Sequence, residues 1–486
     1  MARRAWFRVL TLAAALGVAS LALWGCTSFP WASGATPGQG SSPAPGSAAG
    51  PAGAATSTTS GATTSADALD FFDPAGDYRL EQVVVLSRHN IRAPLSTNGS
   101  ALAKATPHRW IDWTAQGSEL TSRGAALETM SGAYFRAWLE HEGLADHNWR
   151  PDPGAVRVYA NAKERTIATA RAFAAGALPA APVEVETHVA FDTMDPTFTP
   201  QTTYLTDAYA DAARTQVADR FGAGQMSAVA SDLSDSFALI ADVCDLADSE
   251  GYKSGEIGAL DTTDTGVAYE LNKEPAMTGS LKLACQLSDA LVLQYYESTD
   301  ERGAAFGESL SQEQWSLISR AKDRYNDVLF SAPLVAVNVA HPLLGEIGRE
   351  LDADGRQFSF LCGHDSNIVS VLGAMGVRAY DLPGSVEAGT PIGSKLVFER
   401  WSSADGRQFG RVRLVYQDAS QLRSGSMLSG YESPKSVTLD FDGVEKSADG
   451  LVDYAHLRER IASAYAAYDA LPETYGEQGE PLAPAA

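Results

Sequence analysis

The segment Val83-Val84-Val85-Leu86-Ser87-Arg88-His89-Asn90-Ile91-Arg92-Ala93-Pro94 joins an apolar, β-prone run to a cluster of basic side chains. A second junction of this kind is Phe358-Ser359-Phe360-Leu361-Cys362-Gly363-His364-Asp365. Ligands of an open α/β sheet bind just beyond the carboxyl ends of its strands. If the two runs are neighbouring parallel strands, both polar clusters meet at one edge of the sheet.

A third junction follows the short β-prone run Val156-Arg157-Val158-Tyr159. The next residues, Ala160-Asn161-Ala162-Lys163-Glu164-Arg165-Thr166, open a predicted helix over 164–173. Arg165 falls in the first turn of this helix, where its side chain could reach the same crevice. Taken alone, Arg165 fits an ordinary arginine on a helix surface better than a site residue.

The spacing of apolar residues predicts an α/β fold. Strand and helix patterns alternate over 80–176 and again over 356–468, whereas helical patterns dominate over 195–344. We therefore expect a mixed, mostly parallel sheet flanked by helices, with an inserted, mainly helical second domain. The predicted boundaries are 71–190 and 351–470 for the α/β core, 191–350 for the insertion and 471–486 for a disordered acidic tail.

The first 70 residues have the pattern of an export signal followed by a tether. Three arginines precede an apolar run of about 15 residues, shorter than the roughly 20 that a membrane span requires. The run ends at Leu23-Trp24-Gly25-Cys26, which resembles a bacterial lipobox, although Trp24 departs from that pattern. We expect a lipid anchor on Cys26 in segment 1–26, with simple signal cleavage or an uncleaved anchor as alternatives. Residues 27–70, rich in Ser, Thr, Gly, Ala and Pro, predict a disordered linker.

Composition limits the classes of partner. The net charge of −23, from 60 acidic and 37 basic residues, argues against nucleic acid and anionic lipid surfaces. An anionic substrate would therefore need a local basic pocket. None of the four cysteines has a zinc-ligand spacing, so we expect no metal site of that type. A disulfide between Cys244 and Cys285 is left open.

The residue types at the two main junctions suit phosphate chemistry. Arg88 and Arg92 flank His89, and arginine binds phosphate oxygens through a planar, permanently charged fork. A neutral imidazole is a competent nucleophile at phosphorus, and nearby guanidinium groups disfavour its protonation. Asp365 precedes a predicted helix, where it could cap the helix or donate a proton to a leaving group.

Together these segments resemble the histidine acid phosphatases, a branch of the phosphoglycerate-mutase-like fold. The matching pattern is R-H-G-x-R-x-P early in the chain, R-T at a helix start and H-D late in the chain. Asn90 stands where most members have Gly, and this form is similar to that of bacterial glucose-1-phosphatases. The resemblance covers roughly residues 78–464 and includes further segments: Asn98-Gly99-Ser100, Thr193 to Phe198, Leu293 to Glu297, Thr390 to Gly393 and Gln417 to Arg423.

The resemblance implies roles for the matching residues. His89 would be the nucleophile that becomes phosphohistidine, and Asp365 would protonate the leaving oxygen and then assist water. Glu274 matches a position that meets the sugar or inositol leaving group, and Asp195 is a second candidate for that pocket; either acid could instead lie in a surface turn beside a proline. No metal or cofactor is expected, because the phosphate would be bound by four basic side chains: Arg88, Arg92, Arg165 and His364.

The expected protein is an exported acid phosphatase acting on a sugar phosphate, with glucose 1-phosphate as the expected substrate. It would be a membrane lipoprotein, or otherwise secreted or periplasmic. A phytase of the same family is an alternative, but Asp261, Asp264 and Glu270 make the stretch before Glu274 acidic and unsuited to a polyanion. A mutase on the same fold and a catalytically inactive tethered binding protein are further alternatives.

Overall fold

The computed structural model describes Phe71, residues 73–74 and residues 76–478, all within one compact unit. The predicted signal and lipobox segment at 1–26 and the predicted linker at 27–70 lie outside the described residues. Within the described part, no single helix has the length and apolar character of a membrane span. The consecutive segments Gln312–Ser331 and Pro333–Asp352, bent by 79°, pass that test only as a pair.

The centre of the fold is a mixed sheet of eight strands in the order β10-β8-β7-β1-β6-β2-β3, with β9 paired to β8. The pairs β1–β6, β6–β2 and β2–β3 are parallel, whereas β7, β8, β9 and β10 add antiparallel strands on the other side. The predicted mixed α/β sheet is therefore confirmed. A separate antiparallel pair is formed by β4 and β5. The strand bounds are β1 Tyr78–Arg88, β2 Val156–Ala160, β3 Val185–Glu186, β4 Gly266–Ala268, β5 Ala276–Thr278, β6 Phe358–Gly363, β7 Lys395–Ser403, β8 Gln408–Tyr416, β9 Lys435–Thr438 and β10 Val452–Asp453.

Fourteen α-helices are defined within the described residues. A π-helical turn, Asp327–Ser331, lies between the ninth and the tenth. The bounds are α1 Gly99–Lys104, α2 Ser122–His141, α3 Glu164–Ala177, α4 Asp207–Gly222, α5 Ser234–Val243, α6 Glu250–Lys253, α7 Ser280–Glu297, α8 Glu301–Ala304, α9 Gln312–Asn326, α10 Pro333–Asp352, α11 Asp365–Ala374, α12 Ala419–Ser424, α13 Tyr454–Ala466 and α14 Leu471–Tyr475.

Helices cover both faces of the sheet, because its central strands are apolar on both sides. On one face, Trp138 of α2 and Phe173 of α3 pack with Phe360 of β6, and the two phenylalanine rings stack 4.0 Å apart. On the other face, α10, α11 and α13 pack against side chains of the same strands, including Leu86 and Leu361. A strand buried on both faces fixes the position of the residues that follow it.

Between residues 207 and 352 the chain is mainly helical, and α4, α5, α7, α9 and α10 share a hydrophobic cluster. The sequence pattern also predicts a helix over 226–247 and a loop over 98–117, and both of these local predictions are wrong. Residues 226–247 are interrupted by 3-10 turns and form a regular α-helix only over Ser234–Val243. Residues 98–117 contain α1. The domain boundaries at residues 191 and 350 stay a prediction.

The predicted disordered tail is wrong for residues 471–478. The chain forms α14 there and buries Leu471. The backbone oxygens of Tyr475 and Gly476 accept hydrogen bonds from Thr206 Oγ1 at 3.0 Å and from Tyr204 Oη at 2.5 Å. These tertiary contacts compensate for the low apolar content of the segment.

Candidate active site

The carboxyl ends of β1, β6 and β2 meet, as the sequence predicts. Arg88 at the end of β1 pairs with Gly363 at the end of β6, whose neighbour Cys362 pairs with Ala160 of β2. The backbone continues this pattern for one residue more. His89 N donates to Gly363 O at 3.0 Å, and Asn161 N donates to Cys362 O at 3.0 Å. The register therefore brings the residues after all three strands together.

His89 is buried, and its ring has a defined tautomer. Its Nδ1 lies 2.9 Å from the backbone oxygen of Asn90, an atom that can only accept a hydrogen bond. Nδ1 therefore carries the proton, and the lone pair of the neutral ring is on Nε2. Burial and the guanidinium groups of Arg165 and Arg92 hold the pKa of His89 well below its usual range. The ring is consequently neutral and presents a nucleophilic nitrogen.

His364 faces His89, with the two ring centroids 5.5 Å apart. Asn161 orients this second ring. Its side-chain oxygen accepts from Asp195 N at 2.9 Å, so its amide nitrogen is the group 2.8 Å from His364 Nε2. His364 Nδ1 then carries the proton of the neutral ring. That atom lies 3.5 Å from Arg165 Nη2, and two donors at this separation can share one phosphate oxygen.

The arginines are held by buried acidic groups. Arg88 Nη1 donates to Glu387 Oε1 and to Thr390 O, both at 2.6 Å. Arg92 Nη2 donates to Asp289 Oδ2 at 3.0 Å. Burial and Arg92 lower the pKa of Arg165 to about 10, so this guanidinium group stays charged at acid or neutral pH.

The arginines also keep donors free. Within the described part of the chain, the buried Nε atoms of Arg88, Arg92 and Arg165 lack a hydrogen-bond partner. Buried donors are rarely left unpaired, and their presence here fits an oxyanion.

Asp365 begins α11 and lies beside three side chains. Its Oδ2 is 3.5 Å from Arg88 Nη2, 3.4 Å from Lys322 Nζ and 3.3 Å from Asn326 Nδ2. Burial opposes ionisation, but Arg88 and Lys322 outweigh it and hold the pKa of Asp365 well below its usual range. Without substrate, Asp365 is therefore a carboxylate.

Asn90 is fixed by a buried ion pair. Its amide nitrogen donates to Glu128 Oε2 at 2.8 Å, and Glu128 Oε1 lies 3.0 Å from Lys395 Nζ. Lys395 Nζ also donates to Gly393 O at 2.8 Å. Gly393 has a φ of +67°, and a Cβ at this position would lie 2.6 Å from the Asn90 amide nitrogen. Asn90, the residue that follows His89, is therefore tightly enclosed.

His89, Arg92, Arg165, His364 and Asp365 border a cavity of about 310 Å³ that also contains Glu274. Glu274 remains accessible to solvent at the mouth of the cavity, while the surrounding protein atoms and Asp365 raise its pKa. Asp195 is placed differently. It is buried, accepts from Tyr159 Oη at 2.7 Å and is not among the residues of this cavity. The backbone nitrogen of Asp195 donates to Asn161, which in turn orients the His364 ring. This position differs from the predicted contact with a leaving group.

Sequence reasoning missed four residues of the site: Asn161, Asp289, Lys322 and Glu387. Asn161 lies within a quoted segment, but its contact with His364 depends on the strand register. The other three come from helices or loops without a motif, and only the tertiary fold brings Asp289 and Lys322 to the cavity and Glu387 to Arg88. The three described cysteines, Cys244, Cys285 and Cys362, are free, which resolves the open disulfide question against a bond between Cys244 and Cys285.

Comparisons with known proteins agree with this geometry. The model of the histidine phosphatase superfamily (branch 2) matches residues 79–417. Glucose-1-phosphatase of Salmonella typhimurium is 38% identical over 77% of this chain and 89% of its own length. The enzyme of the same name from Providencia rettgeri is 35% identical over 81% of this chain and 93% of its own length.

A solved structure has the same fold. Hafnia alvei phytase in complex with myo-inositol hexakis sulphate superimposes with a TM-score of 0.73 at 27% identity, covering 81% of this chain and 98% of the phytase. Fold, site and sequence lead to one conclusion: this chain belongs to the histidine phosphatase superfamily, branch 2, and is a phosphoric monoester hydrolase.

Proposed function

We propose that the enzyme hydrolyses a small sugar phosphate, with glucose 1-phosphate as the preferred substrate, through a phosphohistidine at His89. The observation that carries this proposal is the state of His89. A neutral ring, with its lone pair on Nε2, lies among arginines whose Nε donors are buried and unpaired within the described residues. Arginine forks bind a phosphoryl group and stabilise the charge that spreads over its oxygens during transfer.

In the first step, His89 Nε2 attacks phosphorus and the bond from phosphorus to the sugar oxygen breaks. Asp365 gives its proton to that oxygen, so the sugar leaves as a neutral hydroxyl compound. In the second step, water attacks the phosphohistidine and the Asp365 carboxylate accepts a proton from it. The nitrogen–phosphorus bond then breaks, which releases phosphate and restores both His89 and protonated Asp365.

The proton on Asp365 depends on bound substrate. In the free enzyme the neighbouring cations keep this carboxyl ionised. A phosphoryl group bound between Arg88 and Arg165 would bring negative charge close to Asp365 and so favour its protonated form. Binding and proton uptake are therefore linked, and acid pH favours both.

The charges around the cavity support a substrate with one phosphate. Its basic side chains, Arg92, Arg165, Lys282 and Lys322, are nearly balanced by acidic ones, Glu274, Asp289 and Asp365. Phytate carries six phosphates and would need additional positive charge at the mouth, where Glu274 lies. A phytase remains the second candidate because of the Hafnia alvei relative.

The substrate choice can be tested by comparing kcat/KM for glucose 1-phosphate and for phytate, in EDTA. We expect glucose 1-phosphate to be preferred by about tenfold or more. Glu274→Gln should lower this ratio, because it removes a negative charge and a sugar-binding carboxylate from the mouth. Glu459→Gln is the matched control, since Glu459 is an exposed acid of α13 that does not line this cavity. A phytate preference, or a ratio unchanged by Glu274→Gln, would contradict this assignment.

We further infer that the enzyme is exported and tethered by a lipid on Cys26, with residues 27–70 as a spacer. This inference rests on the basic, apolar and lipobox-like order of the first 26 residues. In a bacterial host, the full chain should partition into the detergent phase of a Triton X-114 extract, and Cys26→Ser should move to the aqueous phase. Identical partitioning of the two proteins would rule out the anchor.

A further inference from the structure

Lys322 of α9 is a buried cation at the catalytic cavity that the motif of the family does not include. Its side chain is 5% exposed. Nζ lies 3.4 Å from Asp365 Oδ2 and 2.8 Å from Glu387 Oε1. A buried lysine is unfavourable unless it is paired, and here both acidic partners belong to the site.

The position of Lys322 differs from that of the arginines. Arg92 and Arg165 are close enough to His89 to lower its pKa, whereas the contacts of Lys322 are with Asp365 and Glu387. Its neighbour one helical turn further, Asn326, donates to Asp365 Oδ2 at 3.3 Å. One face of α9 therefore presents two donors to the proposed acid.

We propose that Lys322 is a positioning residue for the reaction, which holds the Asp365 carboxyl at the leaving-group side of the cavity and sets the pH above which turnover fails. This inference rests on the proposed role of Asp365 as proton donor. A cation beside a carboxyl favours loss of its proton. Lys322 therefore lowers the highest pH at which Asp365 still carries the proton that the first step needs.

Other charged or titratable groups also face Asp365. Burial raises the pKa of Cys285 and of Tyr325, so both side chains are neutral. Among the rest, Arg88 favours the ionised form of Asp365, as Lys322 does. Glu274, at the mouth of the cavity, disfavours that ionised form. Besides Lys322, the charged or titratable side chains close to Asp365 are Arg88, His89, Arg92, Arg165, Glu274 and His364.

Replacing Lys322 leaves its other partner satisfied. Glu387 Oε1 still accepts from Arg88 at 2.6 Å, and Glu387 Oε2 still accepts from Ile392 N at 2.8 Å. Lys322→Met has a similar volume and removes both the charge and the hydrogen bond to Glu387. Lys322→Gln is a second variant that keeps a donor toward Glu387, and Lys322→Arg keeps the charge.

The test is the pH dependence of kcat for glucose 1-phosphate at saturating substrate. We expect Lys322→Met and Lys322→Gln to move the alkaline limb upward by about one pH unit. Lys322→Arg should leave the limb near that of the wild type. Because every variant is measured with the same substrate, the ionisation of the substrate cannot produce the difference. Lys253→Met removes an exposed lysine outside the cavity, one that pairs with Asp248, and should leave the limb in place.

Two outcomes separate this inference from the proposed function. If Asp365→Asn leaves the sugar-phosphate activity and its alkaline limb intact, Asp365 is not the acid and the mechanism itself is wrong. If Asp365→Asn removes that activity but the limb of both uncharged Lys322 variants stays in place or moves down, only the role of Lys322 is wrong. A lower kcat with an unmoved limb would indicate a structural role and would also overturn the inference.

Discussion

Replacing His89 with Ala should reduce kcat for glucose 1-phosphate by on the order of 10⁴-fold or more. The reason is that the other buried, neutral imidazole beside the arginines, His364, already accepts a hydrogen bond from Asn161 on its Nε2, whereas the Nε2 lone pair of His89 points to the cluster without such a donor among the described residues. Binding of the phosphoryl group should survive, because Arg88, Arg92 and Arg165 are retained. Inhibition by inorganic phosphate should therefore stay within about threefold of the wild type, while turnover is lost.

His147→Ala is the matched control for this experiment. His147 is 84% exposed and pairs loosely with Glu140 at 3.6 Å, away from the cavity. It should retain the wild-type rate. Circular dichroism and thermal unfolding of both variants check that the fold is intact. Substantial turnover by folded His89→Ala protein would exclude His89 as the nucleophile.

Asp365→Asn should have the second-largest effect, and the size should depend on the leaving group. Asn keeps the shape of the side chain but has no proton to transfer. With glucose 1-phosphate, whose leaving alkoxide is unstable, phosphorylation should slow by roughly 10²- to 10⁴-fold. With p-nitrophenyl phosphate, whose leaving phenolate is stable, the first turnover should be much less affected. Stopped-flow detection of p-nitrophenol should therefore show a burst followed by slow turnover, because water attack also uses Asp365.

The comparison of the two substrates provides the control for Asp365→Asn. A general structural defect would slow the first turnover of both substrates by the same factor. An equal loss in the burst phase would therefore contradict the assignment of Asp365 as proton donor. Loss of the burst with retained steady-state turnover would contradict its second role, in the hydrolysis of phosphohistidine.

Much of the fold could be predicted because the central strands carry a strong signal. Val83 to Leu86 and Phe358 to Leu361 are apolar without interruption, as strands buried on both faces must be. The weaker signals failed where tertiary contacts decide the structure. The chain over 471–478 is polar enough to suggest disorder, yet Leu471 and the backbone oxygens of Tyr475 and Gly476 have partners elsewhere.

The candidate site likewise contains residues that could be predicted from the sequence and residues that could not. His89, Arg165 and His364 each follow a strand end, so the order of the strands is enough to bring them together. Lys322 and Glu387 have no such signal, because a lysine in a polar helix and a glutamate in a loop are usually exposed. Asp195 lies outside the cavity, and the sequence could not reveal this, because a turn acid beside a proline looks the same whether its carboxylate faces a pocket or, as here, accepts from a buried tyrosine.

The central claim is that the phosphoryl group passes through His89, and rapid-quench trapping tests it most directly. The enzyme is mixed with p-nitrophenyl phosphate, quenched in base within one turnover, digested and analysed by mass spectrometry. We predict one phosphoryl group on the peptide that contains His89. This group should be stable in base and labile in acid, and the rate constants for its formation and decay should be no smaller than kcat. Its absence during turnover, or a phosphoryl group on any other residue with these kinetics, would contradict the account.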